Sequence, residues 1–326
     1  MRLTVSLVTI WMNVLLSSEW IAGVLSYRAF LIKDTFIVGE PVVVRLLLIN
    51  NSKENVYIEQ YPETKRVPFG VKIFTEDGRE IEDFHQFVDR VYFGVTHLKP
   101  RDTVCYLWSH ILCYRKKAKS GGYLLPGEKD VHFLSKGRYI LKYSLPGSPI
   151  KISSSPLPLG EVKYSRLWHR TVYADSLVIF VKTPEKDEDR KALKEWEKAA
   201  FVMYYDPTRA PKKDIRIYEN IVRKYPNSVY APYALYFLAE NYRVRGRFKK
   251  AITLFRKLKT DYPEFPLNSL YEYNLACCYA GRGWMSVANS LLDRYLRKFP
   301  KDIRNQGALT DYIRKRHKKR YVFSWY

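Results

Sequence analysis

The sequence lacks the short motifs that mark most catalytic sites. It has no glycine-rich phosphate loop, no His-Glu-x-x-His and no Gly-x-Ser-x-Gly. Its six histidines are scattered, and none forms a pair at metal-ligand spacing. We therefore expect no catalytic residue, no metal site and no cofactor, and we interpret the chain as a non-enzymatic protein.

Cysteine is also scarce, with four in 326 residues. Cys105 and Cys113 would form a disulfide in an exported chain if they faced each other across a turn, and two apolar core thiols are the alternative. Cys277 and Cys278 are adjacent, which is a poor arrangement for pairing, and we interpret both as small apolar residues. No cysteine follows the N-terminal apolar run, which argues against a lipid-anchored lipoprotein.

The N-terminal apolar run is too short for a typical transmembrane helix. A positive end precedes Leu3–Leu16, which has the length of a signal peptide rather than the ~20 residues that cross a bilayer. Val24 and Ser26 fit the small-residue rule for cleavage before Tyr27. We predict a signal peptide over 1–26 and export to the periplasm, the cell envelope or the exterior. Retention as a membrane anchor and a cytosolic protein are the alternatives.

Acidic residues are outnumbered by basic ones, and the formal net charge is +23. Most of the excess lies in residues 184–326. Such a field favours acidic proteins, anionic polymers or a negative membrane surface as partners. A basic surface with no specific anionic partner is the other interpretation.

Residues 27–183 have the pattern of a β domain. Gly39–Glu40–Pro41 leads into Val42–Asn50, an apolar run of strand length, and Asp77–Gly78 is typical of a hairpin turn. Gly137–Tyr143 alternates as a half-buried strand does. Seven or eight short strands in ~150 residues predict a sandwich of two antiparallel sheets.

The strand and turn sequences carry a resemblance. The order Gly-Glu-Pro-Val, strand, Asn, then Leu-Pro-Gly-Glu, then Gly-x-Tyr resembles immunoglobulin-like modules of secreted bacterial proteins. The resemblance implies an Ig-like β-sandwich that acts as a spacer or a docking surface. The region lacks the Cys…Trp…Cys spacing of antibody-type domains, so the strand topology stays open.

The segment from Asp214 to Pro300 repeats itself with an offset of 37 residues. A period in this range indicates stacked supersecondary units. The offset aligns Ile217 with Leu254 and Leu291, Leu238 with Leu275, Ala239 with Ala276, Tyr242 with Tyr279, Gly246 with Gly283, and Ala251 with Ala288.

Each unit is predicted to be a pair of helices. The first, around Tyr233–Arg245, ends at Gly246, and the second, around Lys249–Thr260, ends at Tyr262–Pro263 because proline cannot continue a helix. One pair cannot cover its own apolar face, so neighbouring units must stack. A degenerate first unit is predicted over ~187–224 from the helical spacing of its apolar residues.

These positions resemble the tetratricopeptide repeat (TPR). The form with Tyr-Pro after the second helix is similar to bacterial envelope proteins of the outer-membrane-assembly and Tol–Pal-associated type. It departs from the family pattern at Leu235, Glu272, Leu258 and Tyr295. The resemblance implies a multidomain chain in which a TPR-type α-helical solenoid of about three units, over 184–301, follows the β-sandwich. A capping helix and a basic tail complete it over 302–326.

Two sets of residues are candidate sites. Stacked first helices would line a concave groove for a partner segment, and Tyr and Arg often dominate interface energies. The side chains expected to point into it are Tyr233, Tyr236, Glu240, Arg243 and Tyr273; the alternative is that the tyrosines only pack between helices. The basic tail residues expected to contact an anionic surface, or else to be solvated, are Arg314, Lys315, Arg316, Lys318, Lys319 and Arg320.

These observations support two hypotheses. The first is an exported scaffold or adaptor that binds a protein partner through the TPR groove in the cell envelope. The alternative is a binder of an anionic polymer, a carbohydrate or a membrane surface through the basic, tyrosine-rich repeat domain. Export argues against a nucleic-acid ligand, and the sequence does not predict an oligomeric state.

Overall fold

The computed structural model describes residues 24–59, 70–81, 84–88, 95–115, 131–145, 150–153, 166–168, 171–200, 212–306 and 310. Within these residues a β-rich N-terminal region is followed by a helical C-terminal region, which confirms that part of the predicted order. The strands are β1 (Leu25–Leu31), β2 (Thr35–Ile37), β3 (Val42–Asn50), β4 (Asn55–Glu59), β5 (Gly70–Thr75), β6 (Phe84–Val88), β7 (Val95–Leu98), β8 (Thr103–Arg115), β9 (Val131–Phe133), β10 (Gly137–Leu145), β11 (Ile150–Ser153), β12 (Arg166–Trp168), β13 (Val172–Tyr173) and β14 (Leu177–Lys182). The helices are α1 (Asp187–Ala200), α2 (Lys212–Lys224), α3 (Ala231–Val244), α4 (Phe248–Asp261), α5 (Tyr271–Gly281) and α6 (Met285–Lys298), with 3-10 helices at Pro266–Leu270 and Ile303–Gln306.

The strands form three sheets, and their pairs are antiparallel except for β2 with β14. The first sheet has the order β1-β3-β8-β6, with β9 also paired to β8. In the second sheet β10 lies between β5 on one edge and β13 and β14 on the other, and β2 follows β14. The third sheet has the order β12-β11-β4-β7.

The first sheet lies between two layers. On β3, Val44 and Leu46 are fully buried in a core shared with Leu141 and Ile179 of the second sheet. Val43 faces the other way and belongs to the core of the helices. Because both faces of this strand are covered, its sequence is an almost continuous apolar run rather than an alternation.

The helices follow the predicted 37-residue units. Gly246 and Gly283, which occupy equivalent positions after α3 and α5, have φ of 71° and 78°, a conformation that glycine adopts without steric cost. The 3-10 helix Pro266–Leu270 lies between α4 and α5. Each helix from α2 to α6 packs against the next along the chain.

Of the two arrangements considered for Cys105 and Cys113, the disulfide is excluded. Cys105 and Cys113 do not face each other across a turn, because both lie on strand β8 and are eight residues apart along it. At about 3.3 Å per residue, that separation is far beyond the reach of a disulfide. Cys105 is a free thiol, and Cys277 and Cys278 are free and buried.

The two ends of the chain are described only in part. Strand β1 begins at Leu25, which is buried, so cleavage before Tyr27 would remove the first two residues of this strand. After α6 the described chain forms the short 3-10 helix Ile303–Gln306 where a capping helix was predicted. The basic run at 314–320 and residues 1–23 of the signal peptide predicted over 1–26 lie outside the described residues.

Candidate partner-binding surfaces of the helical repeat

The five residues predicted to line a concave groove lie together on the side of the helices that faces the first sheet. Tyr233 and Tyr236 are each only 2% exposed, and both contact the ring of Phe265. Tyr273 is half-buried and carries the guanidinium of Arg304 5.5 Å above its ring centroid. These side chains therefore already have partners within the chain.

At the N-terminal end of this inner side, the turn before β3 inserts between the helices. Trp196 is fully buried, and its Nε1 donates a hydrogen bond to the Gly39 carbonyl at 2.8 Å. The Tyr230 hydroxyl donates to the Val38 carbonyl at 2.5 Å. Gly39 has φ of 75°, and a Cβ there would meet Phe133 at 2.8 Å. Only glycine fits this turn without strain.

The carboxylate of Glu40 is buried in the same contact. Its Oε1 accepts from Lys33 Nζ at 2.5 Å and from the Tyr233 hydroxyl at 3.2 Å, and its Oε2 accepts from the Ile37 backbone N–H at 3.0 Å. Burial, followed by the nearby Glu40 charge, raises the pKa of Tyr233 well above its ordinary value. Neutral Tyr233 is thus held as a hydrogen-bond donor to Glu40.

Glu240 and Arg243 form an ion pair in the middle of the inner side. The Arg243 Nη2–Glu240 Oε2 distance is 2.5 Å, and the side chains are 16% and 13% exposed. Cys277 lies within electrostatic range of this pair, and burial raises the pKa of its thiol to about 12. A thiol with so high a pKa remains protonated near neutral pH and is a poor nucleophile.

At the C-terminal end, the segment after α6 returns to the β region. The Cys105 backbone N–H donates to the Lys301 carbonyl at 2.7 Å, and Lys301 Nζ lies 2.5 Å from Asp102 Oδ1. Asp302 and Arg304 form a buried ion pair at 3.1 Å. Ile303 is 1% exposed and belongs to the core between the first and second sheets.

The inner side of the helices is therefore tied to the β region at both ends. The predicted groove residues are brought together, but they already have partners within the chain. Tyr233 contacts Glu40 and Pro41, and Tyr273 contacts Arg304. Glu240 and Arg243 pair with each other. Whether any of them also contacts a partner stays a prediction. The sequence carried one signal of this closure, because the apolar run of β3, interrupted by Arg45, favours cover on both faces.

The outer side of the helices carries an open groove of about 590 Å³ between α2, α3 and α4, which we call the outer groove. Its lining residues are Glu219, Val222, Arg223, Leu235, Leu238, Tyr242, Lys249, Lys250, Thr253, Leu254 and Lys257. At about 100° per residue along α3, Leu235, Leu238 and Tyr242 point roughly opposite to Tyr233 and Tyr236. We did not predict the outer groove from the sequence, because only the residues of the concave side were proposed as a binding surface.

A smaller cavity of about 370 Å³ lies where the first sheet meets the end of α6. Arg45, Leu47 and Cys105 line it from the sheet, and Tyr295 and Lys298 line it from the helix. Burial raises the pKa of Cys105 to about 11, so this thiol is not activated. The cationic Nζ of Lys298 is 3.0 Å from Glu272 Oε1 and is already paired.

Comparison with known proteins supports one element of this architecture. Residues 233–264, which span most of α3 and all of α4, match the model of the tetratricopeptide repeat family. This stretch is a TPR element, and such repeats generally serve protein–protein interaction. No curated protein matches the chain.

Two solved structures show only a distant likeness. The sporulation control protein Spo0M from Bacillus subtilis aligns at 11% identity and a TM-score of 0.23, over 54% of this chain and 55% of that protein. AvmM, whose structure is described as catalysing macrocyclization in alchivemycin A biosynthesis, aligns at 8% identity and a TM-score of 0.20, over 51% of this chain and 93% of its own. The chain thus matches only about half the length of the first structure.

None of the helices in the described part of the chain is both long enough and apolar enough to cross a membrane. The same part of the chain contains no group of three or more His, Cys, Asp or Glu side chains arranged to hold a metal ion.

Proposed function

We propose that this chain is a non-enzymatic scaffold that binds a protein partner through the outer side of its helical repeat. The observation that carries the proposal is the TPR element at 233–264. On the inner side of that element Tyr233 is bound by Glu40, and Tyr230, just before it, is bound by Val38. The outer groove is therefore the side that another molecule can reach. The inner-side residues then have the role of holding the repeat against the β region.

The finer architecture is part of the same proposal. We propose that the first and second sheets form an Ig-like sandwich, because residues of both contribute to one core. The helices are proposed to form a TPR-type solenoid that starts at α1, since consecutive helices pack in chain order. An experimental structure of the full chain would test both assignments through its strand connectivity and its helix pairing.

Export is a separate part of the proposal. Residues 1–26 are proposed to direct the chain to the periplasm, the cell envelope or the exterior, on the basis of the apolar run Leu3–Leu16 and the small residues Val24 and Ser26. Mass spectrometry of the native protein from fractionated cells tests this. A chain that begins at Tyr27 and is recovered outside the cytosol supports export, whereas an intact Met1 in the cytosolic fraction contradicts it.

The scaffold function is tested by capture with the tagged full chain at low and at moderate salt. We expect one protein to be retained at both salt concentrations and to yield cross-links to residues of α3 or α4. The competing function, binding of an anionic polymer, predicts a different outcome. Only polyanion would then be captured, and it would be lost at moderate salt because phosphate-type binding releases counterions.

A further inference from the structure

We propose that the outer groove binds an acidic amphipathic segment of the partner protein, with apolar side chains on the groove floor and carboxylates against its rim. This inference rests on the proposed function, because it names the chemistry of the partner. It is carried by the shape of the groove and by the cations that line it.

The floor of the groove is apolar. Leu235 and Leu238 of α3 lie beneath it and are already buried, and the half-buried Val222 and Leu254 present the accessible apolar surface from α2 and α4. The ring of Tyr242 continues this floor, while its hydroxyl donates to Glu219 at 3.1 Å. A segment that buries Leu, Ile or Phe side chains here would gain the hydrophobic contribution that a purely charged ligand lacks.

The rim of the groove is basic. Arg223, Lys249, Lys250 and Lys257 line it, and all four are exposed. Lys257 is paired with Asp261, and Lys250 Nζ lies 5.2 Å above the Tyr242 ring centroid. Among the described residues, no carboxylate pairs with Arg223, Lys249 or Lys250. These cations are available to carboxylates of a ligand, which electrostatic complementarity would steer into the groove.

Part of the basic rim is specific to this repeat. Adding the 37-residue offset converts Arg223, Lys249 and Lys250 into Thr260, Ser286 and Val287. The offset also replaces Leu235 with Glu272, whose carboxylate is bound by Lys298 at 3.0 Å and by Arg294 at 3.6 Å. The next repeat therefore lacks these three cations, although the offset keeps Leu275 and Tyr279 at the positions of Leu238 and Tyr242.

Charge also decides between the possible occupants. A second copy of this chain would bring its own excess of +23, and the run at 314–320 is itself basic, so the rim repels both. A polyanion without apolar groups would leave the accessible apolar surface of Val222 and Leu254 uncovered. An acidic amphipathic segment satisfies both features of the groove.

The experiment is a selection from a displayed library of random helical peptides against the immobilised full chain. We expect the enriched peptides to combine apolar residues at i, i+3, i+4 and i+7 with an excess of Asp and Glu. One enriched peptide, labelled with fluorescein, is then titrated by anisotropy against the chain and two variants.

The test variant carries Lys249→Glu and Lys250→Glu, and the matched control carries Lys194→Glu and Lys259→Glu. All four lysines are exposed, so both variants change the net charge equally, but only the first pair lines the groove. Acidic residues in the first turn of α4 favour the helix dipole, so the test variant is expected to fold. We expect it to weaken peptide binding at least about tenfold, and the control to weaken it less than about threefold.

Two outcomes of the peptide experiment overturn the inference. One is enrichment of peptides without an acidic excess. The other is equal weakening by the two variants, which would indicate binding to general positive charge, as a polyanion binds.

If the captured protein partner binds the test variant as tightly as the unmodified chain, the groove assignment fails and the scaffold function stands. If no protein is captured at either salt concentration, the scaffold function itself fails.

Discussion

The carboxylate of Glu40 should be one of the most important polar groups for the stability of this chain. It is 5% exposed and accepts hydrogen bonds from Lys33, the Ile37 backbone and the Tyr233 hydroxyl, so it joins the β region to the helical repeat. We therefore expect Glu40→Ala to destabilise both regions together rather than the β region alone.

The magnitude follows from these contacts. Lys33 is 41% exposed and is hydrated by water when the carboxylate is removed, so the loss of its ion pair with Glu40 costs little. The Tyr233 hydroxyl can turn to the Pro41 carbonyl at 3.4 Å. The Ile37 N–H loses the Glu40 acceptor, and a buried unsatisfied donor costs about 1–3 kcal/mol. With the weakened Tyr233 bond, we expect Glu40→Ala to lower the free energy of unfolding by about 2–4 kcal/mol.

The assay is urea unfolding followed by far-UV circular dichroism and by tryptophan fluorescence. Glu76→Ala is the matched control, because its carboxylate pairs with Arg138 at 3.1 Å but is 68% exposed, and it should change the free energy by less than about 1 kcal/mol. A double-mutant cycle with Tyr233→Phe should give a coupling of about 1 kcal/mol between the two residues. Additive effects, or a loss of stability from Glu40→Ala no larger than that from Glu76→Ala, would show that the Glu40 carboxylate does not hold the β region to the helical repeat.

Three further predictions concern other parts of the molecule. Gly39→Ala should lower the free energy of unfolding by about 2–4 kcal/mol in the same urea assay, because it combines a left-handed backbone with a clash against Phe133, and an unchanged midpoint would contradict this. Cys277 should react with a thiol reagent at pH 8 only after unfolding, since burial raises the pKa of its thiol to about 12, and peptide mapping that finds rapid labelling of the native chain would count against it. Burial raises the pKa of Tyr143 and Tyr233, so their contribution to stability is complete below the unfolded value near 10 and is lost as the pH rises above it. Absorbance at 295 nm should therefore show phenolate formation together with unfolding, and a smooth titration of these rings in the folded chain would disagree.

The repeat could be predicted from the sequence because its signal is local. Gly246 and Gly283 follow the first helices and the Tyr-Pro pairs follow the second, so each of these signals acts within one helix pair. The 37-residue offset repeats them, and the helices appear at those places. Strand β3 coincides with the run Val42–Asn50 for the same reason. Periodicity and turn chemistry determine such elements before any tertiary contact forms.

The contacts of the inner side could not be predicted in the same way. Tyr233 has the spacing expected of a groove residue, but the residue that covers it is Glu40, more than 190 positions earlier in the chain. Residues 301–304 likewise bind β8 across about 200 positions. Helical spacing gives the face on which a side chain lies, not what packs against that face, and only the tertiary structure distinguishes a free groove from an internal interface.

If the chain's own β region closes the inner side of the repeat, zero-length carbodiimide cross-linking should join Asp102 to Lys301, whose charged atoms are 2.5 Å apart. The cross-linked peptide should lie within a single chain when labelled and unlabelled protein are mixed. Asp187 and Lys191, 2.6 Å apart on α1, provide the positive control. Recovery of the control link without any Asp102–Lys301 link would contradict the closed arrangement and return the inner side to the role of an open groove.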